Sequence, residues 1–181
     1  MQLVHLPSAT PSEQLRSNIG KLAEALKQHQ RGSLLLKQLD KQLIALKQQP
    51  LNHLKIAFLL SMDSTKLRLA GAGSSGVAFI KLLGGNSVAQ FNNYQTVSAE
   101  SLLAMQPDII LVAGNNPATA VDQLLTANPV LLHSSAGRNG RIIAVDGSTL
   151  VAGLSIAAVD EALRLATALS KQYNDKQTAA R

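Results

Sequence analysis

The chain has 181 residues, of which 46% are hydrophobic and 15% charged, a balance that supports a packed core and excludes a disordered chain. Its formal net charge is +6, yet the cations of the first third (Lys21, Lys27, Arg31, Lys37, Lys41, Lys47) stand singly, as on a solvated helix face. Aromatic residues at 3% and the lack of tryptophan argue against the stacking platforms of single-stranded nucleic-acid binders, and the lack of cysteine removes thiol catalysis, cysteine-based zinc sites and disulfides together.

No apolar run nears the roughly 20 residues a membrane span needs. The start, Met1-Gln2-Leu3-Val4-His5-Leu6-Pro7, is too short and too uncharged to read as a signal peptide. Residues 2–6 read as a short strand closed by Pro7. A helix start follows, with Thr10 at the N-cap, Pro11 at the first helical position and Glu13 placed to complete a capping box. Leu15, Ile19, Leu22 and Leu26 then recur at helical spacing. A joint at His29-Gln30 leads to a second helix, whose stripe of Leu35, Leu39, Leu43 and Leu46 is ended by Gln48-Gln49-Pro50. Each helix is amphipathic and requires a partner surface.

From Lys55 strands and helices alternate. Residues 56–60 are a buried-strand run, and residues 76–83 a helix closed by Gly84-Gly85. Ser98 caps a short helix through Met105, which Pro107 ends. Residues 109–112 and 141–145 are further strands, with a helix at 118–125 between them. A long closing helix runs from about Gly153 to Tyr173, followed by a frayed tail. The pattern predicts an α/β fold, a three-layer α/β/α lobe with a mostly parallel sheet covered on both faces.

Few motifs carry chemistry. Gly71-Ala72-Gly73-Ser74-Ser75-Gly76 matches the dinucleotide fingerprint G-x-G-x-x-G, which requires a strand running directly into a helix. About ten residues separate the strand at 56–60 from Gly71, which favours a Gly/Ser-rich loop capping the next helix; a nucleotide-binding α/β enzyme is the alternative. His5, His29, His53 and His133 have no histidine or helpful carboxylate at ligand spacing, so no metal cluster is visible. Ser134-Ser135-Ala136-Gly137 lacks the G-x-S-x-G context of a hydrolase nucleophile, and no carboxylate pair suggests acid–base work. The expectation is a protein that is not an enzyme.

The order of segments resembles one family. Val4-His5-Leu6-Pro7, a capped helix, a Gln/Lys/Leu-rich helix and Lys55-Ile56-Ala57-Phe58-Leu59-Leu60-Ser61-Met62 are similar to the periplasmic substrate-binding proteins of bacterial haem importers. Leu83-Gly84-Gly85-Asn86, Tyr94-Gln95-Thr96-Val97-Ser98-Ala99-Glu100, Gln106-Pro107-Asp108-Ile109-Ile110-Leu111-Val112 and Arg141-Ile142-Ile143-Ala144-Val145-Asp146 extend the match. The V-S-x-E and QPD-strand elements are specific to helical-backbone binding proteins, the class that also takes iron-siderophores and cobalamin.

The resemblance implies a C-terminal portion only: a first-lobe remnant at 1–28, a linking backbone helix at 29–50, a C-terminal α/β lobe at 51–173 and a tail at 174–181. It implies haem as a transported ligand in the cleft between lobes, no other cofactor, a periplasmic location and an inner-membrane ABC permease as partner, with cobalamin or an iron-siderophore as the alternative ligand. By motif position Glu100 is the permease-docking glutamate, and equally a first-turn helix residue favoured by the macrodipole. Met62 aligns with a histidine that related proteins can carry, and is either an axial haem ligand or packing material. Lys66 and Arg68 follow as candidate partners of the haem propionates, and Tyr94, which matches a family tyrosine, is a further candidate haem-binding residue. Leu150-Val151-Ala152-Gly153-Leu154-Ser155-Ile156 departs from the family's loop, having neither phenylalanine nor arginine. A further alternative is an interaction module that self-associates through an exposed linking helix.

Overall fold

A computed structural model, which describes residues 4–48, 51, 54–61, 66–114 and 116–179, shows a sheet built around two strands that are buried on both faces. These are β1 (Lys55–Ser61) and β5 (Ile109–Gly114). Ile56, Phe58, Ile109 and Leu111 turn to one face, and Ala57, Leu59, Ile110 and Val112 to the other. Both faces are apolar, so the strands read as continuous hydrophobic runs and not as alternating ones. β2 (Leu67–Ala70), β3 (Asn86–Ser87), β4 (Tyr94–Val97) and β6 (Ile142–Asp146) complete the sheet, in the order β4-β2-β1-β5-β6 with β3 beside the first residues of β1. β1 is parallel to β3, β5 and β6, while β2 runs antiparallel to β1 and β4.

Helices cover both faces. α1 (Ser12–Ala25), α2 (His29–Lys47), α3 (Ser75–Leu82) and α7 (Ile156–Ala179) share a core with Ile56, Phe58 and Leu111. α4 (Ala99–Ala104), α5 (Pro117–Ala127) and α6 (Ser135–Arg138) border the opposite cluster, around Leu59, Leu69 and Ile110. The expected three-layer α/β/α arrangement with a mostly parallel sheet is therefore present.

The expected ends of several elements hold. Gly84, at φ 79°, closes α3: its N–H donates to Lys81 O and that of Gly85 to Ile80 O, the paired bonds of a glycine C-cap. The Ser98 hydroxyl accepts the Ser101 N–H at the start of α4. β1, β5 and β6 lie over the three expected strand segments.

Other expectations are corrected. Of the strand expected at residues 2–6, residues 2 and 3 lie outside the described residues and 4–6 form no strand; the N-terminal segment makes a sheet-like contact further on, a parallel bridge from Ala9 to Gly153. The capping box at Thr10 does not form either. Pro11 is the N-cap, with extended backbone and no side-chain cap bond, and helical geometry starts at Ser12. The joint falls at Lys27 instead of His29-Gln30, and the closing helix runs from Ile156 through Ala179. β2 and β4 were not anticipated, and β2 fills the gap read as separating a strand from Gly71.

The α1–α2 joint has an unusual residue. Lys27 takes φ 54°, its N–H donates to Glu24 O, and the Gln28 N–H donates to Ala23 O. This is the glycine-type helix closure built on a lysine, in a backbone region that costs an L-residue roughly 1–2 kcal/mol. Lys27→Gly is expected to raise unfolding free energy by about 0.5–1 kcal/mol, after the entropy that glycine gains in the unfolded chain. A urea titration that gives an unchanged or lower midpoint contradicts it.

Candidate functional site

In sheets of this kind the crevice beyond the carboxyl ends of the parallel strands is where ligands sit. A cleft of about 420 Å³ opens there. Its floor is Phe58 and Leu60 of β1 with Ala113 and Gly114 of β5. One wall is Ser75 of α3 and Tyr94 of β4; the other is the segment after β6, with Gly147, Ser148, Leu150 and Val151. A larger groove of about 820 Å³ lies between α1, α2 and α3, away from the strand ends. The smaller cleft is the better candidate on topology.

The cleft is apolar at its floor, and its walls mix polar Ser75, Tyr94 and Ser148 with apolar Leu150 and Val151. Val151 is 85% exposed, an unusual state for a valine and one that places a bare apolar surface at the rim. Tyr94 packs against the core beside α3, and its hydroxyl accepts the Gly76 N–H at 3.1 Å and lies 3.3 Å from Ser75 Oγ. The tyrosine expected on the ligand side thus lines the cleft, with its oxygen bound to the first turn of α3.

Arg68 reaches the same sheet face by register. It pairs with Leu60 on β1 and with Thr96 on β4, and directly opposed residues share a face. Its side chain is exposed, and it is not one of the residues that line the cleft. Lys66 is also exposed, just before β2, at the end of the sheet where β1 finishes. The ion pairs found among the described residues, Arg16–Asp40 and Arg164–Glu161, involve neither cation. Met62 lies outside the described residues.

Glu100 stands in the first turn of α4 and is fully exposed. Its own backbone N–H, and then the Ser98 hydroxyl, hold its carboxyl below the ordinary glutamate range. Leu67 pairs with Val97, one step beyond the Leu60–Arg68 pair, so β4 delivers Ser98 and Glu100 to the end of the sheet where β1 finishes and the cleft opens. Glu100 is thus a first-turn residue of α4 with an exposed carboxylate, and the permease-docking role read for it remains a proposal.

The glycines of residues 71–76 are occupied structurally. A Cβ on Gly71 would lie 2.3 Å from Phe91 O, and one on Gly76 would lie 2.6 Å from the Phe58 ring. Gly71 N–H donates to Asn93 O, Ser74 Oγ accepts the Val77 N–H, and Tyr94 takes the Gly76 N–H. The loop joins β2 to α3, is hydrogen-bonded to the segment before β4 and seats α3 on Phe58, although a strand does lead directly into it. His5, His29 and His133 are exposed, His53 lies outside the described residues, and no metal-binding cluster is found among the described ones.

Phe58, Leu60, Gly114, Ser148 and Val151 escaped the sequence reading as cleft residues. The signal for two of them was available: Leu60 and Gly114 stand at the carboxyl ends of the two most apolar runs, where ligands sit in such sheets.

A family model described as periplasmic binding protein matches residues 2–149. Among solved structures, the periplasmic heme binding protein HutB of Vibrio cholerae aligns with a TM-score of 0.83 and 30% identity over 93% of this chain and 68% of its own. A periplasmic heme binding protein from Pseudomonas aeruginosa gives 0.76 and 24%, over 94% of this chain and 63% of its own. The periplasmic heme-binding protein RhuT from Roseiflexus sp. RS-1 gives 0.74 and 24%, over 91% and 65%. The latter two support the fold alone. This chain therefore spans about two thirds of the length of these structures. A search of curated proteins finds no match.

Proposed function

The chain belongs to the periplasmic binding protein family, and we propose that it is the solute-binding component of a haem ABC import system, carrying the C-terminal lobe and its linking helix. The observation that carries this reading is the apolar floor of Phe58, Leu60 and Ala113 with Arg68 on the adjoining strand. A planar apolar ring fits such a floor, and its carboxylates pair with a guanidinium or ammonium at the edge. The 30% identity to a heme binding protein supports the same ligand class. The protein would work in the periplasm without catalysis: this lobe closes one side of the cleft, Lys66 and Arg68 face the propionates, and Glu100 docks on the permease. No helix among the described residues is long and apolar enough to cross a membrane.

Titration of hemin into the purified chain, followed at the Soret band, tests the ligand. The cleft here is open on the side away from the lobe, so a dissociation constant on the order of tens of micromolar is expected. Arg68→Ala is expected to weaken it by about three- to tenfold. An unchanged Soret band, or tighter binding of cobalamin or a ferric siderophore in competition, removes the haem assignment.

A further inference from the structure

The cleft wall formed by Leu150 and Val151 belongs to a loop that its own neighbours do not hold alone. From inside, the Asp146 carboxylate accepts the Ser148 N–H and the Ser155 hydroxyl donates to Thr149 O. From outside, the N-terminal segment lies along it. Ala9 and Gly153 form a parallel bridge, the Leu154 N–H donates to Ala9 O at 2.5 Å, and the Ser8 hydroxyl donates to Ala152 O at 3.0 Å. The segment is itself tied down, since the Asn18 side chain donates to Pro7 O at 2.8 Å and Ala9 is 3% exposed. Gly153 makes the approach possible. It takes φ 98°, and a Cβ there would stand 2.7 Å from both Ala9 O and Ser8 Oγ. Two chain segments 144 residues apart thus meet directly behind the most exposed valine of the cleft rim.

We infer that residues 8–9 act as a strap that positions the Leu150–Val151 wall for ligand capture, with Ser8 and Gly153 as its positioning residues. The inference rests on the reading of this cleft as the ligand site. A wall held in place before the ligand arrives loses little freedom on binding, and a released one must be ordered at the expense of affinity. Gly153→Ala strains the backbone and drives a methyl group into the strap. Ser8→Ala removes one hydrogen bond and is the milder variant, while Ser8→Thr keeps the hydroxyl.

The chain has no cysteine, so Val151→Cys carries a single nitroxide label whose spectrum reports the motion of the wall. A second label at Gln123→Cys, exposed on α5, is the reference for general loosening. Gly153→Ala is expected to enlarge the mobile fraction at position 151 and leave that at 123 unchanged; Ser8→Ala should give a smaller increase and Ser8→Thr none. In unlabelled protein the first two variants should weaken hemin binding by about three- to tenfold, with Ser8→Thr restoring it. An unchanged spectrum at 151 in Gly153→Ala, or equal loosening at 151 and 123, overturns the strap. Parent protein that binds no hemin overturns the haem reading, and the label then decides the strap by itself.

Discussion

Phe58→Ala is expected to lose about 3–5 kcal/mol of unfolding free energy, close to the whole margin of a small domain. Phe58 is fully buried at the centre of β1, and its ring meets Phe79 edge-on at a centroid distance of 6.0 Å. α3 is seated directly on it: only the missing side chain of Gly76 lets the helix come so close. Truncation therefore opens a void between sheet and helix that no flexible neighbour can fill. The same ring lies under the cleft, so the void is continuous with the floor of the site. Thermal and urea denaturation followed by circular dichroism measure the loss. Phe58→Leu, which keeps most of the volume, should cost no more than about 1.5 kcal/mol and allows hemin affinity to be read in a folded protein. A loss below about 1 kcal/mol in the alanine variant would mean that α3 does not rest on this residue.

The same residues explain how much of the molecule was legible beforehand. β1 and β5 announce themselves because both of their faces are buried, which turns a strand into an unbroken apolar run. The α3 terminus is equally plain, because a left-handed closure there selects glycine. β2 and β4 gave no such signal. Leu67-Arg68-Leu69-Ala70 is four residues long with a charge in it, and Tyr94-Gln95-Thr96-Val97 is a half-exposed edge strand. Their pairing comes from neighbours distant in sequence, not from their own periodicity. Residues 2–6 mislead in the opposite direction: apolar residues ended by a proline resemble a strand, but among the described residues the backbone bridge falls later, at Ala9. The helical stripe was also read too long. α1 and α2 cross where Gly32 faces Ala23, and beyond that point Leu26 is 60% exposed.

The candidate site was harder to read than the fold, for a geometric reason. Tyr94 and Arg68 could be named from a motif and a charge, but their positions depend on strand register. Only the pairing Leu60–Arg68–Thr96 puts Arg68 on the sheet face of Leu60 and Phe58. The opposite wall is met by the N-terminal segment through Ala9 and Gly153, a contact between residues 144 apart in sequence. No local pattern in either segment encodes that meeting. The loop at residues 150–156 is held by backbone pairing with the N-terminal segment.

Glu100→Lys is expected to reduce solute uptake by about tenfold or more in a reconstituted importer, while ligand binding by the isolated protein stays unchanged. On the proposed docking role, reversing the charge replaces attraction to a basic partner with repulsion, and no residue of α4 lines the cleft. The carboxylate is well suited to the role. Its own backbone N–H and the Ser98 hydroxyl favour the ionised form, and it is fully exposed at the end of the sheet where the cleft opens. The sign of the pH dependence follows. Because folding lowers this carboxyl's pKa, its favourable contribution is present above the unfolded glutamate value and disappears as pH falls through the folded one. Docking should therefore persist from neutral into mildly acidic conditions and weaken only below the ordinary glutamate range. Glu100→Gln keeps the shape and removes the charge, and should fall between parent and Glu100→Lys in uptake. A permease that responds equally to all three proteins would place its contacts elsewhere, and Glu100 would keep only its part in the first turn of α4.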